Sequence, residues 1–278
     1  GWAVMAVVWR KWWAVVPMVV VLAGGVNLMR VTLQEQMITL ACNDARRTTP
    51  NLECEDQSVI NEANRWAQAG QLGFGLSSLA TASLWGSLSD RFGRKVVMLV
   101  STLGNLLIAV CAACIGTDTA YPWRTVLTLA SVVGGIGGGT TITLLGTFAY
   151  LADCCPPADR ALCFTLIEAF YGVGSLAAYL GGGYISKDRG ESVTLLIVAA
   201  WLGGVCLYIL AIPESLPPGK HAPLRWRKLH SLQAVGGFVR RDPGDLPRTR
   251  TTRIALAAAF VTAFLGFLGG FSVTTLFF

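Results

Sequence analysis

Long apolar runs broken by short polar connectors dominate the chain. Seven runs, at residues 12–34, 66–88, 96–116, 124–152, 161–185, 192–212 and 254–278, are each close to the ~20 helical residues that cross a ~30 Å hydrocarbon layer. Lipid offers no hydrogen bonds to the backbone, so spans of this kind form helices. The pattern predicts an all-α membrane protein. Its first six spans form one bundle over residues 1–212, residues 213–253 form a central loop, and a seventh span covers 254–278. Composition agrees. Hydrophobic residues make up 53% of the chain and charged residues only 14%, with a mean hydropathy of +0.55, whereas soluble domains carry roughly a quarter charged residues.

Positively charged connectors tend to remain cytoplasmic. With the N-terminus inside, the inner segments hold fifteen Lys and Arg residues: Arg10, Lys11, Arg91, Arg94, Lys95, Arg160 and nine between Lys220 and Arg253. The outer segments hold six, namely Arg46, Arg47, Arg65, Arg124, Lys187 and Arg189. This asymmetry predicts a cytoplasmic N-terminus. It also assigns the net charge of +6 to loops facing anionic lipid, not to a nucleic-acid surface.

The connector Gly86-Ser-Leu-Ser-Asp-Arg-Phe-Gly-Arg-Lys95 is a tight charged turn between two spans. Gly86 and Gly93 are expected to allow close backbone approach there. The Asp90 carboxylate then faces the positive end of a helix, and the Arg94 guanidinium reaches a second acid, for which Asp153 at the inner end of the fourth span is the local choice. In residue types and spacing, Gly86, Asp90, Arg91, Gly93, Arg94 and Lys95 resemble the signature loop between helices 2 and 3 of the major facilitator superfamily. That resemblance implies a secondary transporter with two six-helix halves joined by a cytoplasmic loop. It implies that the charged cluster latches the halves in the outward-open state, with a helix of the second half as its other face. It also implies a longer protein, of which residues 1–278 supply one half and a seventh helix, or else a truncated product.

Three stretches, Phe148-Ala-Tyr-Leu-Ala-Asp153, Leu166-Ile-Glu-Ala-Phe-Tyr-Gly-Val-Gly174 and Pro213-Glu-Ser-Leu216, are similar to parts of the proton-coupled folate transporter group and related fungal proteins. By that resemblance Glu168 is the proton-coupling glutamate, and His230 lies near a histidine of the central loop. Two departures stand out. The helix-4 arginine of drug and proton antiporters has no counterpart in Ser131-Val-Val-Gly-Gly135, and the acid that folate carriers place deeper in that helix is replaced near Gly139 or Thr140.

Glu168 also stands out by itself, because an ionised carboxylate within a span is costly unless paired or protonated. Polar residues recur at helical spacing: Asn27, Arg30 and Gln34 on the first span, Thr140, Thr143 and Thr147 on the fourth, and Glu168, Tyr171 and Ser175 on the fifth. Such stripes line a solute cavity or act as interhelical glue. Arg30 reads either as a cationic site for an anionic group or as a side chain snorkelling to the outer interface. Paired small residues at Gly134, Gly135, Gly138, Gly139, Gly266 and Gly270 predict close helix contact or bending.

Of the eight cysteines, Cys42 and Cys54 bracket the first outer loop and are candidates for a disulfide. Cys111 and Cys114 read as apolar packing. Cys154 and Cys155 at the inner rim are either palmitoylation sites or silent. No metal constellation, cofactor motif or catalytic signature is present, and the two histidines both fall in the central loop, so an enzyme is not expected. Residues 224–235 have the spacing of a basic amphipathic helix, against a disordered linker as the rival. A seven-helix receptor would fit the span count but would place the N-terminus outside. The expected function is transport of a small organic solute across the plasma or vacuolar membrane, coupled to protons. A half-protein that folds without transporting is the alternative.

Overall fold

The computed structural model describes residues 2–116 and 122–216, and the side chains from Trp13 onward with the exception of residue 183. The described residues form seven helices: α1 (Trp2–Thr48), α2 (Gln57–Phe92), α3 (Arg94–Ile115), α4 (Trp123–Ile136), α5 (Gly139–Cys154), α6 (Arg160–Arg189) and α7 (Glu191–Ala211). Among the described residues there is no strand. The central loop beyond Leu216, with His230 and the predicted amphipathic helix, lies outside the described residues, as does the seventh span with Gly266 and Gly270.

Helices cover the first six predicted segments, with α4 and α5 together making the fourth. Five stretches are long and apolar enough to cross a membrane: Trp13–Thr48, Arg94–Ile115, Trp123–Cys154, Arg160–Arg189 and Glu191–Ala211. Helix α2 has 36 residues but is less apolar, and its exposed polar stripe, described below, accounts for the difference. Helix α1 continues past the predicted end at residue 34 because its polar outer turns find partners. Gln36 donates to the last carbonyls of α3, Ala112 O at 2.8 Å and Gly116 O at 2.7 Å, and Thr39 donates to Glu191 at 2.8 Å. Arg124, which the sequence reading counted only as an outer charge, pairs with Asp44 at 2.6 Å and Glu62 at 3.3 Å.

Helix α1 packs chiefly on α6, α7 and α2, while α3 is sandwiched by α4, α5 and α7. The core they share is built from Met18, Leu22, Val26, Leu40, Met98, Leu127, Tyr150, Leu195 and Leu202. The exposed large side chains of α6 and α7, such as Leu162, Leu176, Leu180, Leu196, Leu207 and Leu210, are the composition of lipid-facing surface.

The fourth span breaks where Gly137, Gly138 and Gly139 replace helix formers. Gly138 takes the left-handed conformation (φ 87°) and Gly139 follows at φ 53°, angles that favour glycine. A Cβ at Gly139 would lie 2.0 Å from the Phe74 ring of α2, and one at Gly135 only 2.4 Å from the Phe74 carbonyl oxygen. Here the predicted bending and close contact coincide. Side chains of α2 take up freed carbonyls: Trp85 Nε1 donates to Ile136 O at 2.7 Å and Ser78 Oγ to Gly138 O at 3.0 Å. No water is at hand in lipid, so such partners are what make the break tolerable.

Cys42 and Cys54 form a disulfide, with Cα atoms 5.2 Å apart, closing the connector between α1 and α2. Loop-closure entropy for a ring of this size is worth about 3 kcal/mol. Reduction, or Cys42→Ser, is therefore expected to lower the thermal midpoint of the detergent-purified protein by roughly 5–10 °C. An unchanged midpoint on adding reductant would show that the bridge contributes nothing.

Candidate functional site: an ionic rim and a polar crevice

The ionic rim is built around the turn between α2 and α3. Gly93 joins the two helices at φ 105°, ψ 163°, a region open essentially to glycine alone. Its shape is filled from outside the turn: a Cβ at position 93 would lie 2.5 Å from Oε2 of Glu214. Glu214 follows α7 and crosses to the N-terminus of α3, accepting from the backbone N–H of Arg94 at 3.0 Å and of Lys95 at 3.3 Å. A carboxylate is the natural occupant of that site, because the first helical N–H groups have no partner within the helix and point their positive end at it.

Arg94 gathers the remaining acids. Its Nη1 lies 2.5 Å from Asp90 and its Nε 3.0 Å from Asp153, with Ser89 Oγ accepting at 2.9 Å. Its side chain is 14% exposed, whereas Asp90 remains 56% exposed, so the cluster turns one carboxylate outward. Lys95 Nζ donates to Leu210 O at 2.7 Å, a cation on the carbonyl end of α7. Tyr150 closes the corner through its hydroxyl, which donates to Pro213 O at 2.9 Å. The expected Arg94–Asp153 pair is present. Gly86 differs from expectation: a Cβ there would meet nothing within 4 Å, so this glycine is not required by any close approach within the described residues. Arg91 sits over the Phe92 ring at 5.2 Å.

Of the cysteines at this rim, Cys155 is buried and its thiol donates to Cys163 Sγ at 3.0 Å. Burial, then the Cys163 contact, pushes the Cys155 thiol up to about 12. It stays protonated at neutral pH, which suits packing better than acylation.

The predicted polar stripes divide. Thr140 and Thr143 do not lie on an open face: they are 5% and 0% exposed. The Thr143 hydroxyl lies 2.6 Å from that of Ser101 on α3, and Thr147 is buried with it against Met98. The glue reading describes Thr143 and Thr147, which reach Ser101 and Met98 of α3, whereas the Thr140 hydroxyl is buried without a hydrogen-bond partner among the described residues.

The stripes of the first and fifth spans do come together. Asn27 Nδ2 donates to Ser175 Oγ at 2.9 Å, and Tyr179 donates to Asn27 Oδ1 at 3.1 Å. Gln34 reaches in the other direction, to Asn64 on α2 at 3.5 Å. Arg30 is exposed between them. Tyr171 is half-buried, and Glu168 is exposed two turns inward of Ser175, so the burial expected of it is not supplied by the six described spans. Sequence reasoning missed Tyr179, Asn64, Gln68 and Gln71. The last three recur at i, i+4 and i+7 on α2, a spacing that was legible. Among the described residues no group of His, Cys, Asp or Glu could hold a metal ion.

Comparisons with known proteins fit this architecture. In fold, the chain is similar to the human organic anion transporter MFSD10, with a TM-score of 0.60 over 87% of this chain and 59% of that one at 21% identity. In sequence it is similar to hippocampus abundant transcript 1 protein of Mus musculus, 29% identical over 58% of this chain and 33% of the relative. Synaptic vesicle 2-related protein of Rattus norvegicus is 30% identical over 50% of this chain and 24% of the relative. The chain thus spans about a third or less of the length of these relatives. Residues 65–278 match the sequence profile of the Major Facilitator Superfamily. With more than half of its length inside that profile, the chain belongs to the Major Facilitator Superfamily.

Proposed function

We propose that the chain supplies the N-terminal lobe and seventh helix of a secondary active transporter that moves a small organic solute by alternating access, driven by protons. The observation that carries this reading is the open polar face shared by α1, α2 and α6 above a cytoplasmic ionic rim. Residues 1–212 act as the moving lobe, 213–253 as the cytoplasmic connector and 254–278 as the start of the second lobe.

Asn27, Arg30, Gln34 and Tyr171 contribute to the solute cavity. Asp90, Arg91, Gly93, Arg94, Lys95 and Asp153 form the latch, with Gly86 as the smooth point where the second lobe seats. The exposure of Asp90 supports a role between lobes, since a carboxylate turned away from its own bundle is available to a helix N-terminus opposite it. The N-terminus is placed in the cytoplasm. The basic turn and the Cys42–Cys54 disulfide lie at opposite ends of α2, which supports an inner reducing face and an outer or luminal oxidising one. Plasma and vacuolar membranes both offer that arrangement. The resemblance to the folate transporter group supports Glu168 as the coupling carboxylate.

Uptake into vesicles under an imposed pH gradient tests the reading. Glu168→Gln in the full-length protein is expected to remove the acceleration by inward-directed protons while leaving exchange of solute at equal pH. Proton-driven uptake that is unchanged in this variant would remove Glu168 from the mechanism. A protein that catalyses no uptake at all would favour a lobe that folds without transporting.

A further inference from the structure

We propose that the crevice between α2 and α6 on the face of α1 is an anion site, with Arg30 as its charged group, and hence that the transported solute carries a carboxylate or another oxyanion. The proposal rests on the transporter reading and narrows it to a substrate class.

The position of Arg30 follows from its neighbours on the same helix. Residues at i−3 and i+4 lie on the same side of a helix as residue i. Asn27, at i−3, is held by Ser175 and Tyr179 of α6, and Gln34, at i+4, is held by Asn64 of α2. Arg30 therefore sits where α2 and α6 part. It is the one exposed side chain after an unbroken buried stretch from residue 22 to residue 29. Arg94, Arg124 and Arg189 are engaged in ion pairs, whereas Arg30 has no ion-pair partner among the described residues.

Its surroundings are neutral donors at matching depth. Moving one turn inward from the Gln34–Asn64 contact brings Arg30 on α1 level with Gln68 on α2, because consecutive spans run antiparallel. Both Gln68 and Gln71 are exposed and share the face of Asn64. Across the crevice stands Tyr179, 54% exposed, with its hydroxyl already committed to Asn27. The acids nearest along these helices are engaged elsewhere: Asp188, nine residues after Tyr179 on α6, pairs with Arg189, and Glu35, five residues beyond Arg30 on α1, accepts from Ser186 of α6, while Glu168 lies eleven residues before Tyr179, or about 16 Å along a helix rising 1.5 Å per residue. A snorkelling arginine would end in headgroups, beyond the apolar layer. This one lies in a crevice flanked by amides and a phenol, the groups that orient an oxyanion while a guanidinium binds it through paired N–H donors. An arginine left without a counter-charge at membrane depth is costly, and an anionic solute removes that cost each time it binds.

The test needs no knowledge of the solute. Gln68→Cys in the full chain places a thiol at the depth of Arg30, and two methanethiosulfonate reagents then report on it, one bearing ethylsulfonate and one ethyltrimethylammonium. Modification is followed by mass spectrometry in membrane vesicles, against the parent protein, whose own cysteines set the background. The sulfonate reagent is expected to gain about tenfold over the ammonium reagent relative to their rates on a free thiol, and Arg30→Gln is expected to abolish that gain. Arg30→Lys should keep most of it. A thiol that stays unmodified would mean that the crevice is filled and would overturn the proposal. A reagent preference unmoved by Arg30→Gln would mean that Arg30 is already neutralised by a carboxylate, and would overturn it equally. Either result would leave proton-driven uptake free to succeed, and failed uptake would leave the reagent ratio readable, so the two readings fail separately.

Discussion

Gly93→Ala is expected to be the most damaging single methyl group that can be added at the ionic rim, lowering the thermal midpoint of the purified protein by about 5–10 °C. Two costs combine. The backbone at φ 105°, ψ 163° excludes side chains at about 1–3 kcal/mol, and the new Cβ would sit 2.5 Å from the Glu214 carboxylate. Glu214 must then leave the N–H groups of Arg94 and Lys95, uncapping α3. The two costs separate in a double-mutant cycle: in a Glu214→Ala background the contact is gone, so Gly93→Ala should cost only the backbone strain. Gly86→Ala is the contrast, since its Cβ enters open space within a helix that alanine favours, and the melting of this lobe should be unchanged or slightly raised. Tryptophan fluorescence during heating measures the four variants against the parent protein. Equal losses for Gly86→Ala and Gly93→Ala would contradict the described turn.

The second large effect belongs to Arg94. Arg94→Ala leaves Asp90 and Asp153 facing each other with Glu214 close by, and the half-buried side of the cluster cannot be rescued by water as a surface pair would be. Breaking a fully buried pair costs about 3–5 kcal/mol. Asp153 is 25% and Asp90 56% exposed, so about 2–3 kcal/mol is expected here after allowing for solvent. Arg94→Lys should recover less than half, because the three donors of an ammonium radiate from one nitrogen and cannot span the separate Nε and Nη1 positions that meet Asp153 and Asp90. The thermal midpoint supplies the measurement, and raising the salt concentration should narrow the gap between variants. If Arg94→Lys melts like the parent protein, the planar fork is not what holds the rim.

The spans and the charged turn were legible because their signals are local. Apolar length marks a span wherever it packs, and Asp90 and Arg94 are one helical turn apart. The Arg94–Asp153 pair was also within reach, since the second and fourth spans both terminate on the same side. Glu214 was visible only as part of a resemblance. Its contact with Arg94 bridges 120 residues, and nothing in Pro213-Glu-Ser-Leu216 says which helix end it will meet. The threonines went the other way. Their spacing places them on one face of a helix, but that face packs against Ser101 and Met98 of α3. Gln68 and Gln71 carried a legible stripe that passed unremarked beside the stronger signal of the turn.

The sequence by itself determined the run of long apolar helices, where the charge clusters and which two cysteines stand near enough to join, because each depends on hydropathy or spacing along one stretch of chain. Only the tertiary structure decided which polar faces are sealed and which stay open. Periodicity assigns a residue to a side of its helix, but whether that side meets α3, as Thr143 does, or the gap between α2 and α6, as Arg30 does, depends on the neighbours that packing brings to it.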